Sequence, residues 1–152
     1  MARLLALLLF LPWLMAQAGE LPKAQNFQLD AKQLQPQQLL LVLASRHDCS
    51  YCSLIRNDFL YPMSQNPGYQ KKLIIRELKI DENKKIIDFD GRPVAVKELA
   101  RRYNASLTPT LMFLDKTGKQ LTKNHVGITT PEFFGFYLDQ SIEAALEHLA
   151  IQ

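Results

Sequence analysis

Apolar residues gather in a few stretches separated by polar segments that carry proline or glycine. Residues 39–45, Leu-Leu-Leu-Val-Leu-Ala-Ser, form a near-continuous apolar run, the pattern of a strand buried on both faces. Helical spacing follows over residues 50–64, where Leu54, Ile55, Phe59 and Leu60 recur on one side and Pro62 should end or bend the helix. Asn66-Pro67-Gly68 is a turn. Residues 73–80 read as a second strand, in which Leu78 and Ile80 alternate with charged neighbours. Residues 81–93 are polar and suggest a small hairpin or irregular insertion. A helix over 94–103 places Val96, Leu99, Ala100 and Tyr103 on one face. Residues 110–115 form a strand, Lys116-Thr117-Gly118 a turn, and 119–126 its antiparallel partner. The last helix should open with Thr130 as N-cap and Pro131 at its first position, and lay Phe134, Leu138, Ile142, Leu146 and Leu149 against the sheet. Phe133, Phe134, Phe136 and Tyr137 are expected to pack in the core.

This order demands a parallel crossover first and an antiparallel hairpin after it. The class is α/β, with a central mixed sheet flanked by helices. No internal repeat or separating linker divides the chain. Residues 19–38, polar, glutamine-rich and interrupted by Pro22 and Pro36, read as a lead-in with one short helical turn, and residues 39–150 as the domain proper.

Residues 1–18 have the pattern of a signal peptide: Arg3, an apolar core from Leu4 to Met15, and Ala16-Gln17-Ala18 before Gly19. The apolar core is shorter than the roughly twenty residues that span a bilayer, so cleavage and export to an oxidising compartment such as the periplasm are expected. An uncleaved anchor is the competing reading. Removing residues 1–18 from the 152 leaves 134 residues, the size of one domain, and lowers the formal charge from +3 to +2. Short basic clusters such as Lys71-Lys72 and Arg101-Arg102 are not interleaved with aromatics, and no nucleic-acid partner is expected.

The chain has two cysteines, Cys49 and Cys52, in His47-Asp48-Cys49-Ser50-Tyr51-Cys52, directly after the first apolar strand. A structural zinc needs four ligands, usually two such pairs or one pair with two histidines, and no second pair is present. As a structural staple the bond would close almost no loop and so remove little unfolded-state entropy. At a strand-to-helix junction, backbone N–H groups favour a thiolate on the first sulfur. Redox cycling of the pair is therefore the leading reading.

Three motifs together resemble the thioredoxin superfamily: Cys49-Ser50-Tyr51-Cys52 at this junction, Leu107-Thr108-Pro109-Thr110 opening a later strand, and Gly127 before the last helix. More narrowly, Phe89-Asp90-Gly91, Glu98-Leu99-Ala100-Arg101-Arg102-Tyr103 and Thr108-Pro109-Thr110 are similar to exported bacterial thioredoxin-like proteins, some of them associated with sulfur-oxidation systems. The resemblance spans about residues 38–148. It implies a thioredoxin fold and a thiol–disulfide oxidoreductase that reduces protein disulfides. Cys49 would be the exposed nucleophile and Cys52 the buried resolving thiol. Pro109 would be a cis-proline that, with Thr108 and exposed Tyr51, contacts substrate. No cofactor beyond the redox-active disulfide, a monomeric state, protein thiol and disulfide substrates, and a membrane thiol relay as electron donor are expected.

Departures from the family concern the tuning of the thiols. Asp48 stands where thioredoxins carry tryptophan and should oppose thiolate formation at Cys49, whereas a protonated His47 would favour it. Leu43 occupies the place of the family's buried acid. Glu77 on the neighbouring strand is a candidate substitute, though a solvated strand glutamate is the expected reading. Two other classes stay open. One is a metal-handling protein using His47, Cys49, Cys52 and His125, and the other is a non-catalytic module holding a peptide at Thr108-Pro109.

Overall fold

The computed structural model describes residues 19–151, so the expected signal segment, residues 1–18, lies outside the described residues. Strand β1 (Leu39–Ser45) pairs in parallel with β2 (Leu73–Lys79) and antiparallel with β5 (Thr110–Leu114), and β5 carries a two-residue edge strand, β6 (His125–Val126). The sheet order β2-β1-β5-β6 is the expected mixed sheet. All seven residues of β1 are buried because the strand is central and covered on both sides. Leu39, Leu41 and Leu43 enter one core with Ile55, Leu60, Phe113, Phe134 and Leu138. Leu40, Val42 and Ala44 enter a second with Phe27, Leu78, Val96, Leu99 and Met112. The two-residue period of the strand thus feeds two hydrophobic layers. Among the described residues no helix is long and apolar enough to cross a membrane.

Helices α2 (Ser50–Leu54) and α3 (Tyr61–Gln65) are joined by a π-helical turn, Ile55–Leu60, into one continuous helical segment over the first core. Pro62, expected to end or bend this segment, stands at the start of α3 and leaves it running to Gln65. Inside a continuous segment Pro62 withdraws one backbone donor, and the wide turn just before it, in which the Tyr61 N–H reaches back to the Arg56 carbonyl, accommodates the ring. Helix α4 (Pro67–Gln70) follows, with Asn66 as its N-cap.

Several expected boundaries shift. The lead-in contains a seven-residue helix, α1 (Phe27–Gln33), and an edge pairing in which the Ala24 N–H donates to the Glu77 carbonyl and the Glu77 N–H to the Pro22 carbonyl, at 2.8 and 2.9 Å. The polar insertion holds the hairpin β3 (Lys85–Ile87) and β4 (Pro93–Ala95), and α5 begins after it as Val96–Arg102. The expected partner strand over 119–126 pairs only at Gln120 and at His125–Val126. Between them Leu121 bonds to the Phe113 carbonyl, while the Asn124 side chain leaves the ladder to donate to the Tyr103 carbonyl at 2.7 Å.

The final helix corrects a second expectation. Thr130 caps a 3₁₀ turn, Pro131–Phe133, through backbone geometry without a side-chain bond, and α6 is Phe134–Ala150. Phe134, Leu138, Ile142 and Ala145 are buried, but Phe133, Phe136 and Tyr137 are exposed. One helix presents one stripe to a sheet, and these three side chains lie off it.

Candidate active site

Cys49 and Cys52 meet where β1 passes into α2. They are disulfide-bonded, with an S–S distance of 2.00 Å and Cα atoms 5.2 Å apart. Cys49 is the N-cap of α2: its backbone is extended, its Sγ accepts the Cys52 N–H at 3.2 Å, and its carbonyl accepts the Ser53 N–H at 3.1 Å. Cys49 is partly exposed and Cys52 is fully buried. In the reduced state the same N–H is placed to stabilise a Cys49 thiolate, since an unpaired helix N–H prefers an anionic acceptor. Tyr51, between the sulfurs, is 56% exposed.

The Thr108–Pro109 peptide bond is cis. The loop around it is held from both sides. The Thr110 hydroxyl donates to the Leu107 carbonyl at 2.8 Å, and the Gly127 N–H donates to the Pro109 carbonyl at 2.8 Å. Gly127 has φ +71°, a left-handed conformation suited to glycine, so its place before the last helix has a backbone reason.

Glu77 overturns the solvated reading: it is 4% exposed. Its Cα is the register partner of Leu43 on β1, so the acid lies one strand over from the family's usual position, on the same face of the sheet. The carboxylate accepts from Arg56 Nε at 2.9 Å and Nη2 at 2.6 Å, from Ser45 Oγ at 2.6 Å, and pairs with Lys79 Nζ at 3.1 Å. Burial disfavours its charge, but the hydrogen bonds from Arg56 and Ser45, the Arg56 charge and Lys79 outweigh that and hold the carboxyl below its ordinary range. It is therefore an anion near neutrality and a poor proton acceptor. Its backbone is paired on the outer edge of β2 with Pro22 and Ala24.

Arg56, which the sequence reading passed over, stands one helical turn after Cys52 on the same side of the helix. The signal was present, since an arginine sits within the stripe Cys52, Ile55, Phe59, Leu60 that faces the core. With Lys79 and Glu77 it makes a cluster of net charge +1 below the active-site helix.

The two residues before Cys49 diverge. His47 is drawn to the other strand end, its backbone N–H and Nδ1 at 2.9 and 2.8 Å from the same Asp81 oxygen. Asp48 is exposed. His125 packs edge-on against Phe134, and burial lowers its pKa. Of the four residues of the metal-handling reading, Cys49 and Cys52 are bonded to each other, His47 turns to Asp81 and His125 packs on Phe134, and no three His, Cys, Asp or Glu side chains among the described residues assemble a metal-binding set.

The thioredoxin-like domain family profile matches residues 27–142. The chain belongs to the thioredoxin-like domain family. Among solved structures it is similar to mitochondrial thioredoxin 3 from Saccharomyces cerevisiae in its oxidised form, at TM-score 0.55 and 17% identity, over 81% of this chain and 93% of that one. It is also similar to a mutant thioredoxin from Halobacterium salinarum, at TM-score 0.53 and 18% identity, over 84% and 91%. At such identities the likeness is one of fold. No curated protein sequence matches the chain. In this thioredoxin-like domain the Cys-x-x-Cys pair suggests thiol–disulfide oxidoreductase activity.

Proposed function

We propose that this thioredoxin-like protein is a periplasmic protein-disulfide reductase. The observation that carries the reading is the asymmetry of the pair: Cys49 is reachable and caps the helix, while Cys52 is buried behind it. The reduced protein attacks a substrate disulfide through the Cys49 thiolate. The Cys49–substrate bond forms, the substrate disulfide breaks, and one substrate sulfur leaves as a thiolate that takes up a proton from water. Cys52, deprotonated in turn, attacks Cys49 Sγ, closing the Cys49–Cys52 disulfide and releasing the second substrate sulfur. Two electrons pass to the substrate, and a dithiol donor, a membrane thiol relay, restores the reduced pair.

Thr108 and Pro109 hold the substrate backbone beside Cys49, and Tyr51 supplies an exposed apolar contact. Because Glu77 is held as an anion by two cations, water takes the Cys52 proton, and the net positive cluster containing Arg56 favours the resulting thiolate. Export follows from the signal pattern of residues 1–18. Insulin reduction with a dithiol donor tests the reading: turnover above the free-donor rate is expected and should vanish in Cys49→Ser. Activity unchanged in that variant would contradict it.

A further inference from the structure

On the face of the sheet opposite α2, a cavity of about 350 Å³ opens at the C-terminal ends of the parallel strands β1 and β2. Arg46, directly after β1, and Ile80 and Asp81, directly after β2, form its base. Lys97 and Arg101 of α5 form one wall, and Ser106, just before the Leu107–Pro109 loop, closes it. Crevices beyond the carboxyl ends of parallel strands are where α/β sheets ordinarily receive ligands.

The charges of this cavity are not balanced internally. Lys97 and Arg101 are four residues apart on one helix, a like-charge spacing that is mildly unfavourable by itself. Arg46 adds a third cation, its Nη2 held at 3.2 Å from the Ser106 carbonyl. None of the three forms an ion pair among the described residues, whereas Arg56, Arg76, Lys79, Arg92 and Arg102 all do. The one lining acid, Asp81, is already engaged by His47. Glu98 on the same helix lines a separate cavity with Asp88 and Asp90.

The cavity also borders both segments that frame the disulfide. Arg46 lies three residues before Cys49, and Ser106 three residues before Pro109. An extended chain advances about 3.3 Å per residue, so a substrate whose cysteine meets Cys49 reaches the cavity within roughly two to four residues.

We propose that this cavity is an acidic-peptide subsite, in which Arg46, Lys97 and Arg101 receive carboxylates that flank the substrate cysteine. The assignment rests on the reductase reading for its substrate and on the cavity for its chemistry. The test uses peptides with three Glu or three Gln beside a serine in place of the substrate cysteine, titrated into the protein and followed by backbone amide shifts. The Glu peptide is expected to bind about 10-fold more tightly, with shifts at Arg46, Lys97, Arg101 and Ser106. Lys97→Glu/Arg101→Glu should abolish the preference, and the milder Lys97→Gln/Arg101→Gln should reduce it. Equal binding of the two peptides, or a preference that survives charge reversal, overturns the subsite. Disulfide-containing versions of the same peptides, assayed for reduction, separate the two claims. A binding preference with no reduction of either peptide refutes the reductase reading alone, while equal reduction without a binding preference refutes the subsite alone.

Discussion

Two groups of cations flank the active-site segment, and they are handled in opposite ways. Beneath α2, Arg56 and Lys79 are largely buried and converge on Glu77, with Ser45 completing the carboxylate's hydrogen bonds. On the opposite face, Arg46, Lys97 and Arg101 are exposed and share no acid among the described residues except the already occupied Asp81. Burial forces pairing, because an uncompensated charge away from water is far costlier than one in it. Exposure removes that compulsion. Unpaired cations around a cavity are then free to answer to a ligand, whereas the paired ones answer to the fold.

Removing Glu77 should break the buried side of this contrast most severely. Glu77→Leu leaves Arg56 and Lys79 without their acceptor and should cost about 3 kcal/mol in denaturant unfolding. Arg56→Met with Glu77→Leu should recover part of that loss, since it removes one of the two stranded cations and leaves only Lys79 without its acceptor. A single variant as stable as the parent would show that the cluster is not compensating its own burial.

The same carboxylate sets an acid limit. Its pKa is lowered in the folded protein, so its stabilising contribution is complete above the unfolded-state value near 4.5 and is lost as pH falls through the lower folded-state value. Thermal unfolding followed downward from pH 5 should therefore show a fall in midpoint that is smaller in Glu77→Gln. An equal fall in both proteins would place the acid sensitivity elsewhere.

The exposed side should respond least in stability. Lys97→Glu/Arg101→Glu reverses one charge in the first turn of α5 and one in its last turn, where the helix dipole acts in opposite senses, and should change unfolding free energy by no more than about 1 kcal/mol. A larger loss would mean that these side chains serve the fold after all.

How much of this was legible in the chain differs residue by residue. Strand β1 could be read because every position is apolar or small and every position is buried. The cysteine pair was legible because its spacing coincides with the end of that strand, and the cis bond of Thr108-Pro109 because the motif stands directly before β5. Glu77 was not. Its neighbours Arg76, Leu78 and Lys79 suggest a half-solvated strand, and the groups that engage it come from elsewhere: Arg56 lies 21 residues upstream, and Pro22 and Ala24 pair with its backbone. The aromatic residues near α6 misled for the opposite reason. Phe133, Phe136 and Tyr137 are as apolar as Phe134, and only the helix's rotation against the sheet decides which of them is buried. The β6 partner was overextended because the Lys116-Thr117-Gly118 turn suggests an unbroken return strand, whereas Asn124 spends its side chain on the Tyr103 carbonyl.

The most direct measurement of the central claim is mass-spectrometric mapping of mixed disulfides formed with a disulfide substrate by the two single-cysteine variants. In Cys52→Ser, the reachable Cys49 should accumulate the substrate adduct, and in Cys49→Ser the buried Cys52 should remain essentially unmodified under the same conditions. Equal adduct formation at Cys52, or none at Cys49, would contradict an exposed nucleophile backed by a buried resolving thiol.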